Sequence, residues 1–202
     1  MSEDRLYSPA AERNRDPILA VLREVFPATG TVLEIAAGSG QHAVHFARAL
    51  AGLTWWATDP SPEARASIAD WAAEAALPNL RGPLALDVCA PDWPEVPAPL
   101  DAALCCNMIH IAPWEATLGL FAGLGRRVRP GGVVALYGPF QRDGGHTAPS
   151  NAAFDADLKS RDPRWGVRAL EEVTRVAEAH GFVQTRVVEM PANNLTVVFV
   201  RG

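Results

Sequence analysis

Apolar residues along the chain switch repeatedly between a helical spacing and short continuous runs. Ile18, Val21, Leu22, Val25 and Phe26 recur at helical intervals behind Asp16-Pro17, where Asp suits an N-cap and Pro the first helical position, so a helix is predicted to start there. Thr31–Ile35 predicts a buried strand, and Ala43, Phe46, Ala47 and Leu50 mark the helix after it. Leu53–Thr58 predicts a second strand closed by Asp59-Pro60, and Ser61-Pro62 opens a helix carrying Ile68, Trp71, Ala72 and Ala75. Leu84–Val88 predicts a third strand, after which Pro91, Pro94, Pro97 and Pro99 exclude a long helix. Ala102–Cys106 and Val133–Tyr137 predict strands four and five. Between them, Trp114, Leu118, Phe121, Leu124 and Val128 mark a helix ending at the Arg129–Gly132 turn. Gly138–Asp162 is expected to be a long loop, a length usually tied to function, with residues 138–165 lying over the site. Leu170, Val173, Thr174 and Ala177 predict a last helix stopped by Gly181, followed by strands Val183–Glu189 and Leu195–Val200.

Strands alternating with helices imply a mostly parallel sheet covered on both faces. The link Met190–Asn194 is too short for a parallel crossover, so the last strand must run antiparallel. The expectation is one α/β domain over residues 1–202: a Rossmann-like, doubly wound, seven-stranded sheet with a helical cap over residues 1–28.

Composition narrows the setting. The chain has 202 residues, of which 49% are hydrophobic and 20% charged, which excludes native disorder and leaves enough core to fold without staples. A net charge of -5 argues against a broad phosphate-binding face, and so against a nucleic-acid partner. Three cysteines, two of them adjacent (Cys105 and Cys106), make neither a disulfide framework nor a zinc cage and fit a reducing compartment. The opening residues are too polar for a signal peptide, and no apolar run reaches the ~18 residues of a membrane span. The expectation is a cytoplasmic protein with no membrane and no metal.

The candidate chemistry sits at predicted strand ends. Glu34, Ala36, Gly38, Ser39 and Gly40 occupy the first strand-to-helix turn, where glycines let a ligand approach the backbone and the helix N-terminus offers N–H groups. Asp59 (with Pro60) ends strand two and can accept both hydroxyls of a ribose. Asp87 (with Val88) ends strand three and can accept from an adenine amine. Gly38-x-Gly40-x-x-Ala43 also fits a dinucleotide fingerprint, so the glycines alone leave NAD(P) open. Glu34 favours S-adenosylmethionine, because an acid there meets pyrophosphate badly and an amino acid's ammonium well. Taken singly, Asp59 and Asp87 also read as turn formers; three acids beside a glycine loop read as a cofactor site.

The Arg-Pro-Gly-Gly turn and closing hairpin resemble class I S-adenosylmethionine-dependent methyltransferases, although Ala36 stands where that loop usually has its first glycine. Its methyl is expected to keep the turn if φ stays negative. The strings Ser8–Leu19, Cys106–Trp114, Leu136–Phe140, His146–Asn151, Arg161–Arg168 and Met190–Leu195 resemble the methyltransferase-like 26 family, over nearly the whole chain. The resemblance implies the class I methyltransferase fold and S-adenosyl-L-methionine as cofactor, and says little of the acceptor.

Asn107 and Met108, after strand four, are expected to flank the cofactor, and His110, His146 and Tyr137 are the candidates for chemistry. Each has a plain alternative: a hydrogen-bonded structural histidine, a lid residue and a core tyrosine. Trp114 and Trp165 read as core or as acceptor-pocket walls, and Arg126, Arg127 and Arg129 as a solvated cluster at the helix end. A small-molecule acceptor is favoured, with a protein side chain as a further option. Besides the methyltransferase, two readings stand: a binding protein that lost turnover, and an NAD(P)-dependent oxidoreductase.

Overall fold

The computed structural model describes residues 5–202; the first four residues of the expected N-terminal cap lie outside them. Ser8 caps helix α1 (Pro9–Val25), its Oγ accepting from the Ala11 amide at 3.2 Å, and Pro9 takes the first turn. The helix therefore starts a full two turns before the expected Asp16-Pro17, and Pro17 lies inside it. The early turns carry Glu12, Arg13, Asn14 and Arg15, which gives no apolar stripe to read; they are held by polar contacts to the next helix.

Strand β1 (Gly30–Ile35), helix α2 (Gln41–Ala49), strand β2 (Leu53–Thr58) and helix α3 (Pro62–Ala75, capped by Ser61) follow the predicted pattern. Strand β3 is Leu80–Leu84, not Leu84–Val88. The in–out alternation beyond it is real, since Leu86 and Val88 are buried and Asp87 exposed. But β2 ends at Thr58, which pairs with Leu84, so residues 85–88 have no strand to pair with and leave the sheet.

Strand β4 (Leu100–Cys106) leads through a short 3-10 turn, Met108–His110, to helix α4 (Trp114–Arg127) and strand β5 (Val128–Gly138). The Arg-Pro-Gly-Gly segment is an irregularity inside β5, where pairing with β4 jumps from Leu100↔Val128 to Ala102↔Val133. Arg127 reaches Asp92 at 3.0 Å and Arg129 reaches Asp101 at 2.6 Å, so two of the expected solvated arginines tie down neighbouring segments.

The expected loop of 138–162 is largely folded. Strands β6 (Phe140–Arg142) and β7 (Gly145–His146) form a hairpin, and helix α5 spans Pro149–Arg161. Its buried residues are Asn151, Asp155 and Leu158, a mostly polar inner face that leaves no apolar periodicity in the sequence. Strand β8 (Arg168–Ala169) pairs with β6 and opens helix α6 (Leu170–Ala179). Strands β9 (Phe182–Met190) and β10 (Asn194–Arg201) close the chain.

The main sheet has seven strands in the order β3-β2-β1-β4-β5-β10-β9. β10 runs antiparallel to both its neighbours, as the short link required. Alternate side chains of β1 feed two cores: Leu33 and Ile35 pack towards α4 and α6, while Val32 packs with Ile18, Leu22 and Phe46 of α1 and α2. The strand order reverses between β1 and β4, which makes their carboxyl ends the place for a ligand crevice. Among the described residues, no helix is long and apolar enough to cross a membrane.

Candidate functional site

The loop between β1 and α2 passes the reversal point. Asp59, directly after β2, holds it: Oδ2 accepts from the Gly38 amide at 3.0 Å and Oδ1 accepts from the Ser61 amide at 2.9 Å. One carboxylate thus ties the glycine loop to the start of α3. Gly38 has φ +59°, and a side chain built there would meet nothing within 4 Å, so open space lies over the loop. Gly40 ends the loop at φ +91°, where a Cβ would strike the Ile68 backbone of α3 at 2.8 Å.

Ala36 has φ +54°, so the turn is kept without the negative φ that was set as its condition. A left-handed alanine costs about 1–2 kcal/mol, more than the unfolded-state entropy a glycine would add back. Ala36→Gly is therefore expected to raise the urea midpoint at unchanged slope, by several tenths to about 1 kcal/mol of stability. A lower midpoint would mean that the methyl, which packs on the sheet's α4 side, outweighs the strain.

Glu34 does not offer a free carboxylate at the strand tip. It is buried, and its Oε2 accepts from Trp55 Nε1 at 2.6 Å. Burial pushes its pKa up to about 8, against the Trp55 hydrogen bond and with help from nearby Asp59. It is mostly protonated at neutral pH, which corrects the expectation of an ionised partner for an ammonium. Asp87, three residues beyond β3, is exposed, and its Oδ1 accepts from the Cys89 amide at 2.9 Å. Glu34 and Asp59 lie near enough to act on each other's charge, and Asp87 stands at the exposed turn after β3. Val88 is core, Pro60 is exposed and Ser39 donates to Gln41 Oε1 at 3.0 Å.

Across the reversal point, Asn107 has φ +61°, and its amide donates to the Tyr137 carbonyl at 2.7 Å. This bends the chain at the end of β4 and seats Met108 and His110 in the interior. His110 is fully buried. Its Nδ1 accepts from the Arg168 amide at 3.3 Å, which leaves the proton on Nε2. That Nε2 has no partner and packs against Gly138, where a Cβ would lie only 2.6 Å away. Burial, with Arg168 nearby, lowers the His110 pKa to about 3.

Tyr137 is 3% exposed, and its hydroxyl shares a hydrogen bond with Asn14 of α1. Asn14 Oδ1 also lies 2.8 Å from His42 Nε2, a residue whose pKa burial lowers to about 4. Tyr137 and His42 are thus parts of the network that fastens α1 over the sheet. His146 sits on β7, its Nε2 3.4 Å from Asp155 of α5 and its Nδ1 buried without a partner.

The N-terminal segment is docked from Arg5 onward, where Arg5 Nη2 donates to the Asp70 carbonyl at 3.2 Å. The Leu6 amide donates to Ser67 Oγ at 2.9 Å and the Ser8 amide donates to Gln41 Oε1. Ser67 Oγ in turn donates to the Ser39 carbonyl at 2.7 Å. These ties to the glycine loop come from backbone amides, which no side-chain pattern announces.

Sheet order, antiparallel β10 and a loop at the reversal point define a class I S-adenosylmethionine-dependent methyltransferase fold. The chain belongs to the family described as protein of unknown function DUF938, whose model matches residues 5–201. Among solved structures, it superposes on the SAH-bound methyltransferase CalO1 of calicheamicin biosynthesis at TM-score 0.75 and 20% identity, over 96% of this chain and 55% of that one. The mitomycin 7-O-methyltransferase MmcR gives 0.80 at 15% identity, over 96% and 54%. Magnesium protoporphyrin IX methyltransferase (ChlM) from Synechocystis PCC 6803, with bound SAH, gives 0.72 at 15%, over 95% and 83%. The chain thus spans about half the length of the first two. At these identities the likeness concerns the fold.

Proposed function

We propose that the chain is an S-adenosylmethionine-dependent methyltransferase acting on a small-molecule acceptor. One observation carries this reading: at the strand-order reversal, a carboxylate clamps a glycine loop whose middle residue faces open space. The superposition on known methyltransferases, and the resemblance to the methyltransferase-like 26 family, support it.

The residues present suit the cofactor in part. Asp59 would accept from the ribose, the Gly38–Gly40 backbone would meet the methionine moiety, and Asn107 and Met108 would flank the adenosine. Asp87 keeps its exposed carboxylate for the adenine amine. Glu34 drops from direct contact and acts from below, bonded to Trp55. When bound, the sulfonium supplies an electrophilic methyl group. The chain's own residues then need to orient the acceptor and exclude water, which alone can supply much of the rate.

Two of the three candidates for chemistry, His110 and Tyr137, are engaged in other contacts. His110 has Nδ1 occupied by the Arg168 amide and its proton on Nε2, so it offers no free lone pair to a substrate. Tyr137 is tied to Asn14, with its phenol pKa raised by burial. His146, beside Asp155, is the remaining acid–base candidate. This base-poor arrangement specifically favours the second reading, a binding protein without turnover. Calorimetry should show saturable binding of S-adenosylhomocysteine and none of NAD; binding of NAD alone overturns the proposal. Incubation with methyl-labelled cofactor and metabolite pools then separates the two readings, and a labelled product establishes the enzyme.

A further inference from the structure

A groove of about 710 Å³ opens between α4 and α6, on the opposite face of the sheet from α1 and α2. Its walls are apolar where Trp114, Leu118 and Val176 meet, and Leu118 is 41% exposed although it belongs to a core-packing helix. Lys159, Arg168 and Arg175 also face it, against the single carboxylate of Glu172. Lys159 is paired with Asp155 at 2.6 Å, and Arg175 reaches Glu172 only at 3.9 Å.

Arg168 is the unusual member. It is half-buried, and its guanidinium donates only to carbonyls: Nε to Ile109 at 2.9 Å, and Nη2 to Ala112 at 2.6 Å and Arg164 at 2.9 Å. No carboxylate among the described residues lies within ion-pair distance of it, in a chain with 23 acidic residues against 18 basic ones. Asp155, Glu115 and Glu172 act on its charge only from beyond contact distance, and an anion entering from the groove would supply a direct partner. The same guanidinium lies 5.7 Å from the Trp114 ring centroid, which puts charge and apolar surface side by side.

We propose that this groove is a second ligand site, built for a small amphipathic carboxylate: the acid group at Arg168 and Arg175, the apolar body along Trp114, Leu118 and Val176. The lining runs the length of α6, about 15 Å at 1.5 Å per residue, enough for an extended alkyl or aryl chain. It shares no side chain with the glycine loop or Asp59, so the site stands whether or not the methyltransferase reading does.

Octanoate, octanol and octylamine, titrated calorimetrically and followed by the Trp114 indole N–H resonance, test it. Octanoate is expected to saturate and to shift that resonance, with octanol and octylamine at least tenfold weaker. Leu118→Glu and Arg175→Glu, both at solvent-facing positions, should each weaken octanoate at least tenfold and leave the urea midpoint and S-adenosylhomocysteine affinity unchanged. Arg168 itself is not altered, because it anchors the turn through its carbonyl contacts. Octanol binding as tightly as octanoate, octanoate binding indifferent to both substitutions, or no saturable octanoate binding in the millimolar range would overturn the proposal.

Discussion

Asp59→Ala is expected to weaken S-adenosylhomocysteine binding by one to two orders of magnitude in a protein that still folds. The carboxylate accepts from two backbone amides, Gly38 and Ser61, and is 6% exposed. Truncation removes the proposed partner of the ribose and also leaves the Gly38 amide without its acceptor, so the loop loses both contact and shape. A hydrogen bond to a charged group is worth about 1.5–3 kcal/mol, and each 1.4 kcal/mol is a factor of ten in affinity. Stability should fall too, by about 1 kcal/mol, since the Ser61 amide at the start of α3 loses its acceptor. Asp59→Asn keeps one oxygen and should fall between the variant and the wild type. Isothermal titration of all three, with circular dichroism to confirm folding, is the measurement; unchanged affinity in folded Asp59→Ala removes Asp59 from the site.

How much of this was legible in the sequence follows from where the information lies. Elements with an apolar stripe were readable to within a residue or two: β2 at Leu53–Thr58, α3 behind its Ser61 cap, and the closing hairpin. Elements stabilised by polar contacts were not. The first turns of α1 are held by Gln41, His42 and Tyr137 through Glu12 and Asn14, and α5 rests on Asn151 and Asp155. Asp155, with its Lys159, Val167 and His146 contacts, is the clearest functional candidate that sequence reasoning missed. Its signal, an acid nine residues after a histidine, means nothing until the β6–β7 hairpin folds it back. Strand β3 was misplaced because alternating burial continues past the point where its neighbour stops pairing. For the candidate site, residue type pointed to Asp59 and the loop, which the fold joins through the Gly38 amide. It could not show that Glu34 is buried against Trp55, because burial of an acid depends on a partner 21 positions away.

That burial carries the last prediction. Glu34 has its pKa raised from 4.5 to about 8, so the folded state holds a proton that the unfolded chain has already released. A raised carboxyl pKa therefore lowers stability as pH rises from 4.5 to about 8, by about 1.36 kcal/mol per unit. His42 and His110 act with the opposite sign. Their pKa values fall from 6.5 to about 4 and about 3, so the unfolded chain takes up protons below pH 6.5 that the fold refuses, and stability drops with acid. Between pH 4.5 and 6.5 the protons of His42 and His110, with His45 acting in the same direction, outweigh one carboxyl proton; above 6.5 Glu34 dominates. Stability is expected to peak near pH 6.5 and to fall by about 2 kcal/mol by pH 8. Glu34→Gln retains an oxygen for Trp55 Nε1 and has nothing to titrate, so its curve should run flat from 6.5 to 8 while its acid limb matches the histidines. Urea midpoints of both proteins at pH 5, 6.5 and 8 decide the matter. A wild type equally stable at 6.5 and 8, or a Glu34→Gln protein with the same decline, would show that Glu34 is ionised in the fold.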